Sequence, residues 1–302
     1  MRRHAVLAPA LTCLLAAAMG LAGTLRADAT TSDTAVTSRP AAAGAPSGGL
    51  NDWSCRPSVD RPRPVILLHG LVSNKDQNWV MHGPALADAG YCAFSLTYGA
   101  TPLTRPRNGG GWAPVERSSR EIGRFIDRVI ARTGARKVDL VGHSEGGFQA
   151  LYVTKVVGYA PKVGRLVALA PPTHGTSFAH IVTLGRVLGG QETVDFFTDT
   201  AGCFACTDLV TGSETVARLT RGPIAQRGVV YTVIATRRDA LITPTSSSFI
   251  RERGVRNYYV QDACPLDPVG HIGIAQDPGL TSMILNGLDP THPVTCGFGP
   301  PI

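Results

Sequence analysis

The chain has 302 residues, 43% of them hydrophobic, and a formal charge of +7. That length suits one α/β domain of about 250 residues or two smaller ones. Beyond Arg2-Arg3 the basic residues are scattered, with no run longer than Arg237-Arg238 and no interleaved aromatic platform, so the composition gives no support to nucleic-acid binding.

At the start, Arg2 and Arg3 precede an apolar run from Leu7 to Leu21, and Ala27-Asp28-Ala29 suits cleavage after Ala29. This is the pattern of an export signal over residues 1–29, and the run is shorter than the ~20 apolar residues of a membrane span. Residues 30–52 are mostly Ala, Ser, Thr, Pro and Gly and read as a flexible leader. The expectation is a secreted chain with no transmembrane segment once mature, folding as one catalytic domain over 53–302.

Outside the signal there are six cysteines, Cys55, Cys92, Cys203, Cys206, Cys264 and Cys296. An even number in an exported chain points to three disulfides; six cysteines allow fifteen connectivities, so sequence alone does not pair them. Nearest-neighbour pairing, Cys55-Cys92, Cys203-Cys206 and Cys264-Cys296, is the expectation. Half a zinc site at Cys203-Cys206 is the rival, but no second ligand pair follows it.

Short apolar runs alternate with helix-like segments, as in a parallel sheet wrapped by helices. The predicted strands are Pro64 to Leu68, Cys92 to Thr97, Val138 to Val141, Leu166 to Ala170, Val229 to Ala235 and Val255 to Gln261, mostly continuous and so buried on both faces. After the first comes Leu67-Leu68-His69-Gly70-Leu71, a loop able to donate the Leu71 N–H. Gly83 to Gly90 is a short helix candidate. Pro114 to Thr133 places Val115, Ile122, Phe125, Ile126, Val129 and Ile130 on one helical face.

The third strand runs into Gly142-His143-Ser144-Glu145-Gly146, which fits Gly-x-Ser-x-Gly. In a chain with 34 glycines that spacing arises by chance roughly 0.2 times, so it carries weight only because a strand precedes it and a helix, Phe148 to Val157, follows. Ser144 is the candidate nucleophile. The Glu145 N–H, beside a helix N-terminus, and the Leu71 N–H are the candidate oxyanion donors. The Glu145 side chain reads as a helix-start carboxylate favoured by the dipole, and His69 and His143 as residues that shape loops.

Residues 173–223 look like a cap insertion. They hold two glycine breaks, Cys203-Phe204-Ala205-Cys206 and apolar clusters at Ile181, Val182, Leu184, Val187, Leu188, Phe196 and Phe197. An ordinary helical layer is the competing account.

Serine needs a base and a group to orient that base. Asp239 follows the Val229 to Ala235 strand and His271 follows Val255 to Gln261, in the chain order Ser, Asp, His. Asp262 and Asp267, read otherwise as solvated turn carboxylates, are rivals for the acid, and His292, in a Pro-rich tail, is the rival for the base. Leu280 to Leu288 is the last helix candidate. No zinc-protease, phosphate-cradling or dinucleotide signature is present, so cofactor-free chemistry is expected and no metal site is read; calcium, whose oxygen ligands leave little signature outside loop motifs, stays open.

The chain resembles the secreted class 2 lipases of actinobacteria, which are α/β-hydrolases. The likeness rests on "PVILLHGL" at 64–71, "VDLVGHSEGG" at 138–147, "LAPPTHGT" at 169–176, "CFACTDLVTGSETVARL" at 203–219, "RRDALITP" at 237–244 and "GHIGIAQDP" at 270–278. The resemblance implies an α/β-hydrolase fold, with a mostly parallel sheet, helices on both faces and a small cap. It implies hydrolysis of acylglycerols or other hydrophobic esters; a substrate met at a lipid-water interface and a monomeric chain are separate expectations. Ser144, Asp239 and His271 take the roles above, and the nearest-neighbour disulfides are favoured. Two departures fall where the acyl pocket is shaped: Pro172-Thr173-His174 replaces an expected Asn before His-Gly-Thr, and Asp208 replaces Gln. A polyester or cutin depolymerase, a short-chain esterase and a silent binding protein are the other readings of the same residues.

Overall fold

Apolar runs without polar alternation are stable only where both faces of a strand are covered. The computed structural model describes residues 49–177 and 202–302, and in it such runs form one parallel six-stranded sheet in the order β2-β1-β3-β4-β5-β6. The strands are β1 (Val65–Leu68), β2 (Ala93–Leu96), β3 (Val138–His143), β4 (Val163–Leu169), β5 (Val230–Ala235) and β6 (Val255–Tyr259). Alternate residues of β1 enter opposite cores. Ile66 and Leu68 pack with Phe94, Leu140 and Phe148, whereas Val65 and Leu67 pack with Leu86, Val141 and Ile284.

Helices α1 (His82–Asp88) and α7 (Pro278–Leu288) supply the second core, and α2 (Val115–Thr133) and α3 (Glu145–Lys155) the first. Ile122, Ile126 and Val129, spaced on one face of α2, are wholly buried and contribute about 1.5–3 kcal/mol each. Gly134, at a left-handed φ of 73°, ends that helix. Two short helices, α4 (Phe204–Asp208) and α5 (Glu214–Thr220), follow in the insertion.

Pro114 cannot cap α2 with a side chain. Instead Asp208 Oδ2 accepts the Val115 N–H at 2.8 Å, while Oδ1 accepts the Thr215 hydroxyl. Asp208 is thus a brace between α4, α2 and α5. Thr173 likewise donates its hydroxyl to the Ser248 carbonyl at 2.7 Å.

Several elements differ from the sequence reading. Strand β4 begins at Val163, three residues before Leu166. Helix α3 begins at Glu145, three residues before Phe148, because the chain turns from β3 straight into it. Strand β6 ends at Tyr259, since Asp262 accepts the Tyr259 N–H at 2.8 Å and starts a single turn, α6 (Val260–Ala263). As the sheet edge, β6 is also half-exposed and not covered on both faces. Residues ahead of Trp53 already join the fold: the Asn51 N–H donates to the Ala93 carbonyl at 2.9 Å, and Asn51 Oδ1 accepts the Ser95 N–H at 2.8 Å. The proposed export signal, most of the leader, and Ile181, Val182, Leu184, Val187, Leu188, Phe196 and Phe197 lie outside the described residues.

The topology fixes where a ligand can sit. From β1 the chain moves outward to β2, then crosses back over β1 to β3 and continues to β6. Beyond the carboxyl ends of β1 and β3 the loops therefore diverge to opposite faces and leave a crevice. Leu68 of β1 pairs with Gly142 of β3, and His143 with Leu169 of β4, so the two loops start level with one another.

Candidate active site

Ser144 occupies the corner between β3 and α3 with φ 54° and ψ −122°, a conformation that non-glycine residues rarely adopt. Its N–H donates to the Leu169 carbonyl at 2.8 Å, and its own carbonyl accepts the N–H of Gly147 and Phe148. The corner therefore closes the first helical turn and ties it to β4. A Cβ on Gly142 would collide with the Gly146 carbonyl, and one on Gly146 with the Leu68 carbonyl. The two glycines of the motif are needed because backbone passes backbone there.

His271, in the loop after α6, reaches back across the strand ends. Its Nε2 lies 2.8 Å from Ser144 Oγ and its Nδ1 2.7 Å from Asp239 Oδ2. Asp239 follows β5, and its Oδ1 accepts the N–H groups of Leu241 and Ile242, both at 2.8 Å. That oxygen is fully engaged, which leaves Oδ2 for the imidazole. An ionised Asp239 requires the proton on Nδ1 and leaves Nε2 able to accept from Ser144.

The loop after β1 forms the facing wall. The phenol of Tyr98 donates to the His69 carbonyl at 2.6 Å and stacks on the His69 ring at 4.2 Å between centroids. His69 Nδ1 donates to the Gly70 carbonyl at 2.8 Å, and burial lowers the His69 pKa to about 4, so the ring is neutral. His69 shapes the loop. Val72, a β-branched residue, sits at φ 65° and holds the loop in a strained turn. Neither the Leu71 N–H nor the Glu145 N–H is committed to an acceptor among the described residues. Gly70, Leu71, Val72, Ser144, His271 and Ile272 line one cleft of about 200 Å³.

His143 links the two walls. Its Nε2 donates to the His271 carbonyl at 3.0 Å, and its Nδ1 lies 3.2 Å from Asn78 Oδ1, which accepts the Gly70 N–H at 2.9 Å. Burial, then the neighbouring His271, hold the His143 pKa well below the ordinary imidazole value. Asn78 was not identifiable from sequence; a lone Asn in a polar loop carries no periodicity or motif.

Glu145 differs from the sequence expectation. Its side chain is wholly buried, and burial raises its pKa to about 8 against the opposing hydrogen bond from Gln149. At neutral pH it is a carboxylic acid and not a dipole-stabilised carboxylate, because desolvation outweighs the helix end.

Of the rival acids, Asp262 is partly exposed and paired with Arg237 at 2.5 Å. Asp267 is 1% exposed, so it is not a solvated turn carboxylate, and the His271 ring bonds Asp239 and Ser144 and neither of these acids. His292 lies in the tail, where its carbonyl accepts from Asn286 at 2.7 Å. The structure joins Cys55 to Cys92, Cys203 to Cys206 and Cys264 to Cys296. Among the described residues no cluster of three or more His, Cys, Asp or Glu could hold a metal ion, and no helix is long and apolar enough to cross a membrane.

Residues 63–201 match a family described as the alpha/beta hydrolase fold. Over 125 residues the chain is 31% identical to a triacylglycerol lipase of Pseudarthrobacter phenanthrenivorans, covering 39% of this chain and 36% of that protein. It is also 31% identical over 125 residues to a triacylglycerol lipase of Burkholderia plantarii, covering 39% and 32%. The chain thus spans about a third of the length of these relatives. Among solved structures, Aspergillus fumigatus lipase B superposes with a TM-score of 0.57 at 18% identity, over 79% of this chain and 54% of that one. The fold is the α/β-hydrolase fold.

Proposed function

We propose that this chain is an exported serine hydrolase of carboxylic esters, acting on acylglycerols or other hydrophobic esters in the manner of the secreted class 2 lipases of actinobacteria. The observation that carries the reading is the unbroken line from Asp239 Oδ2 through His271 to Ser144 Oγ, with spacings of 2.7 and 2.8 Å, at the carboxyl ends of β3, β5 and β6. Support for the substrate class comes from the relatives named triacylglycerol lipase. Support for export comes from the Arg2-Arg3 and apolar leader together with three disulfides, which persist in oxidising compartments.

In this mechanism His271 Nε2 takes the Ser144 proton as Oγ attacks the ester carbonyl. The carbonyl oxygen becomes an oxyanion held by the Leu71 and Glu145 N–H groups, each worth roughly 2.7–4 kcal/mol in the transition state. Collapse expels the alcohol, which leaves with the proton from His271. Water, deprotonated by His271, then attacks the acyl-serine; the acyl–Oγ bond breaks, His271 returns the proton to Ser144 Oγ, and the acid leaves. Asp239 stays ionised throughout and stabilises the imidazolium. Neutral Glu145 adds no negative charge beside the developing oxyanion, an arrangement its burial enforces.

The test is hydrolysis of p-nitrophenyl esters of increasing chain length and of emulsified triacylglycerol, with Ser144→Ala as control. The expected result is activity that persists on water-insoluble esters and vanishes in the control. Full activity in Ser144→Ala refutes the mechanism, and activity confined to short soluble esters refutes the lipase assignment.

A further inference from the structure

Two carboxyls that the proposed chemistry does not use flank the loop that carries His271. Asp267 precedes it and Asp277 follows it, 1% and 0% exposed. Asp267 Oδ1 accepts the Val269 N–H at 3.0 Å and the Gly299 N–H at 3.3 Å. Asp277 Oδ1 accepts the Gly279 N–H at 2.7 Å and caps α7. The other oxygen of each, Oδ2, has no donor among the described residues. Both carboxyls meet Gly299, whose N–H reaches Asp267 Oδ1 at 3.3 Å and whose added Cβ would lie 2.8 Å from Asp277 Cβ. Carboxylate anions are acceptors only, so two buried carboxyls side by side, each with an oxygen that has no donor, call for a proton between them.

We infer that Asp267 and Asp277 share a single proton, and that this shared proton holds the His271 loop and residues 297–302 in register. The segment 297–302 brackets His271: the Gly270 N–H donates to the Pro300 carbonyl at 2.9 Å and the Gly273 N–H to the Ile302 oxygen at 2.8 Å. Gly299 closes over the pair, where an added Cβ would lie 2.8 Å from Asp277 Cβ. Loss of the proton places two like charges side by side without water. They separate, and Val269, two residues before His271, moves with Asp267, as does Gly299.

Among the described residues no cation acts on Asp277. The groups acting on Asp277 are the Asp267 carboxyl and the N–H of Gly279 and Leu280. The loop, α7 and residues 297–302 hold no Lys or Arg, and their one histidine, His271, is engaged by Asp239 and Ser144. From the elements packed against the loop and α7, His82 of α1 lies 2.9 Å from the Ile274 carbonyl and 2.8 Å from the Thr281 hydroxyl, and His143 lies 3.0 Å from the His271 carbonyl; burial lowers the pKa of both, to about 4 for His82, so neither is a cation, and Gln261 donates to the Asp267 carbonyl at 3.1 Å. Consistent with this, burial first and the Asp267 carboxyl second raise the Asp277 pKa from 3.8 to about 7. A folded-state pKa raised in this way gives stability that is fully present below about 3.8 and is lost as pH rises to about 7.

The test compares thermal unfolding of the full chain with that of Asp277→Asn and Asp267→Asn between about pH 4.5 and 8, with calcium and with EDTA. An amide supplies the same N–H···O contact without titrating. Over that interval the parent is expected to lose about 5 °C or more of Tm relative to either variant. Neither calcium nor EDTA is expected to move any curve. The rate of Ser144 labelling by a fluorophosphonate, on the parent, is expected to fall above about pH 7 and to hold in the variants. Parallel Tm curves overturn the inference, as does failure of both amide variants to fold. A Tm raised by calcium and lowered by EDTA replaces the proton with a cation. The labelling arm rests on the proposed function, whereas the melting arm needs no substrate, so failure of one reading is separable from failure of the other.

Discussion

Replacing Asp239 by Asn tests the proposed triad by altering a single proton position. In the parent, Oδ1 is committed to the N–H groups of Leu241 and Ile242, both at 2.8 Å. Asn keeps those two bonds only if its carbonyl oxygen takes the Oδ1 site, which turns the amide NH₂ toward His271 Nδ1. A donor at 2.7 Å from Nδ1 forces that nitrogen to accept and moves the ring proton to Nε2, facing Ser144. The base then holds the proton it should receive. A wrong tautomer with intact geometry costs about 10⁴ in kcat, or about 5.5 kcal/mol of barrier. Since the two backbone donors stay satisfied, Tm is expected to change by less than about 3 °C. The assay pairs steady-state hydrolysis of p-nitrophenyl butyrate with a melting curve. A loss smaller than tenfold, or a large loss accompanied by a melting collapse, refutes the reasoning.

Glu145→Gln removes a buried acid whose pKa is raised to about 8. The parent therefore loses stability progressively from about pH 4.5 to about 8, and the variant is expected to melt with a shallower pH dependence while retaining activity at pH 7; an unchanged slope counts against a neutral Glu145. Gly146→Ala gains about 1 kcal/mol of helix propensity, but its Cβ meets the Leu68 carbonyl of β1. The clash should dominate, lowering Tm by several degrees, and a higher Tm would contradict the steric account. Replacing both Cys264 and Cys296 by Ala opens a loop of sequence separation 32 and is expected to cost about 3–4 kcal/mol by urea unfolding. A change below about 1 kcal/mol indicates that the folded loop is held by other contacts.

The sequence displays most clearly what depends on local pattern. Val65 to Leu68 could be read as a doubly covered strand because four apolar residues in a row satisfy no one-sided surface. Ser144, Asp239 and His271 could be nominated because each follows a strand in the expected order, and the structure brings their side chains within hydrogen-bond distance. What depends on distant neighbours was hidden. The ionisation of Glu145 is set by burial from several elements, and a helix-start acid looks alike in water and in a core. Asp208 caps α2 from 93 residues away, so neither segment shows the partnership. The exposure of β6 follows from its place at the sheet edge, which no run of residues reveals. Asp267 and Asp277 look like ordinary turn residues until the chain end folds over them.

The strand order also has a bearing on when the protein can first act. Ser144 and His271 are 127 residues apart in the chain, and His271 and Asp239 are 32 apart. Between β3, which presents the serine, and the segments that present the other two lies β4, so β4 and β5 must dock before the groups can meet. Closing such long-range pairings is slow and comes late relative to local helix formation. A partly folded chain can therefore display the elbow and its helix without any reactive serine. Under the proposed function, recovery of activity during refolding becomes a reporter of the last pairing event in the sheet.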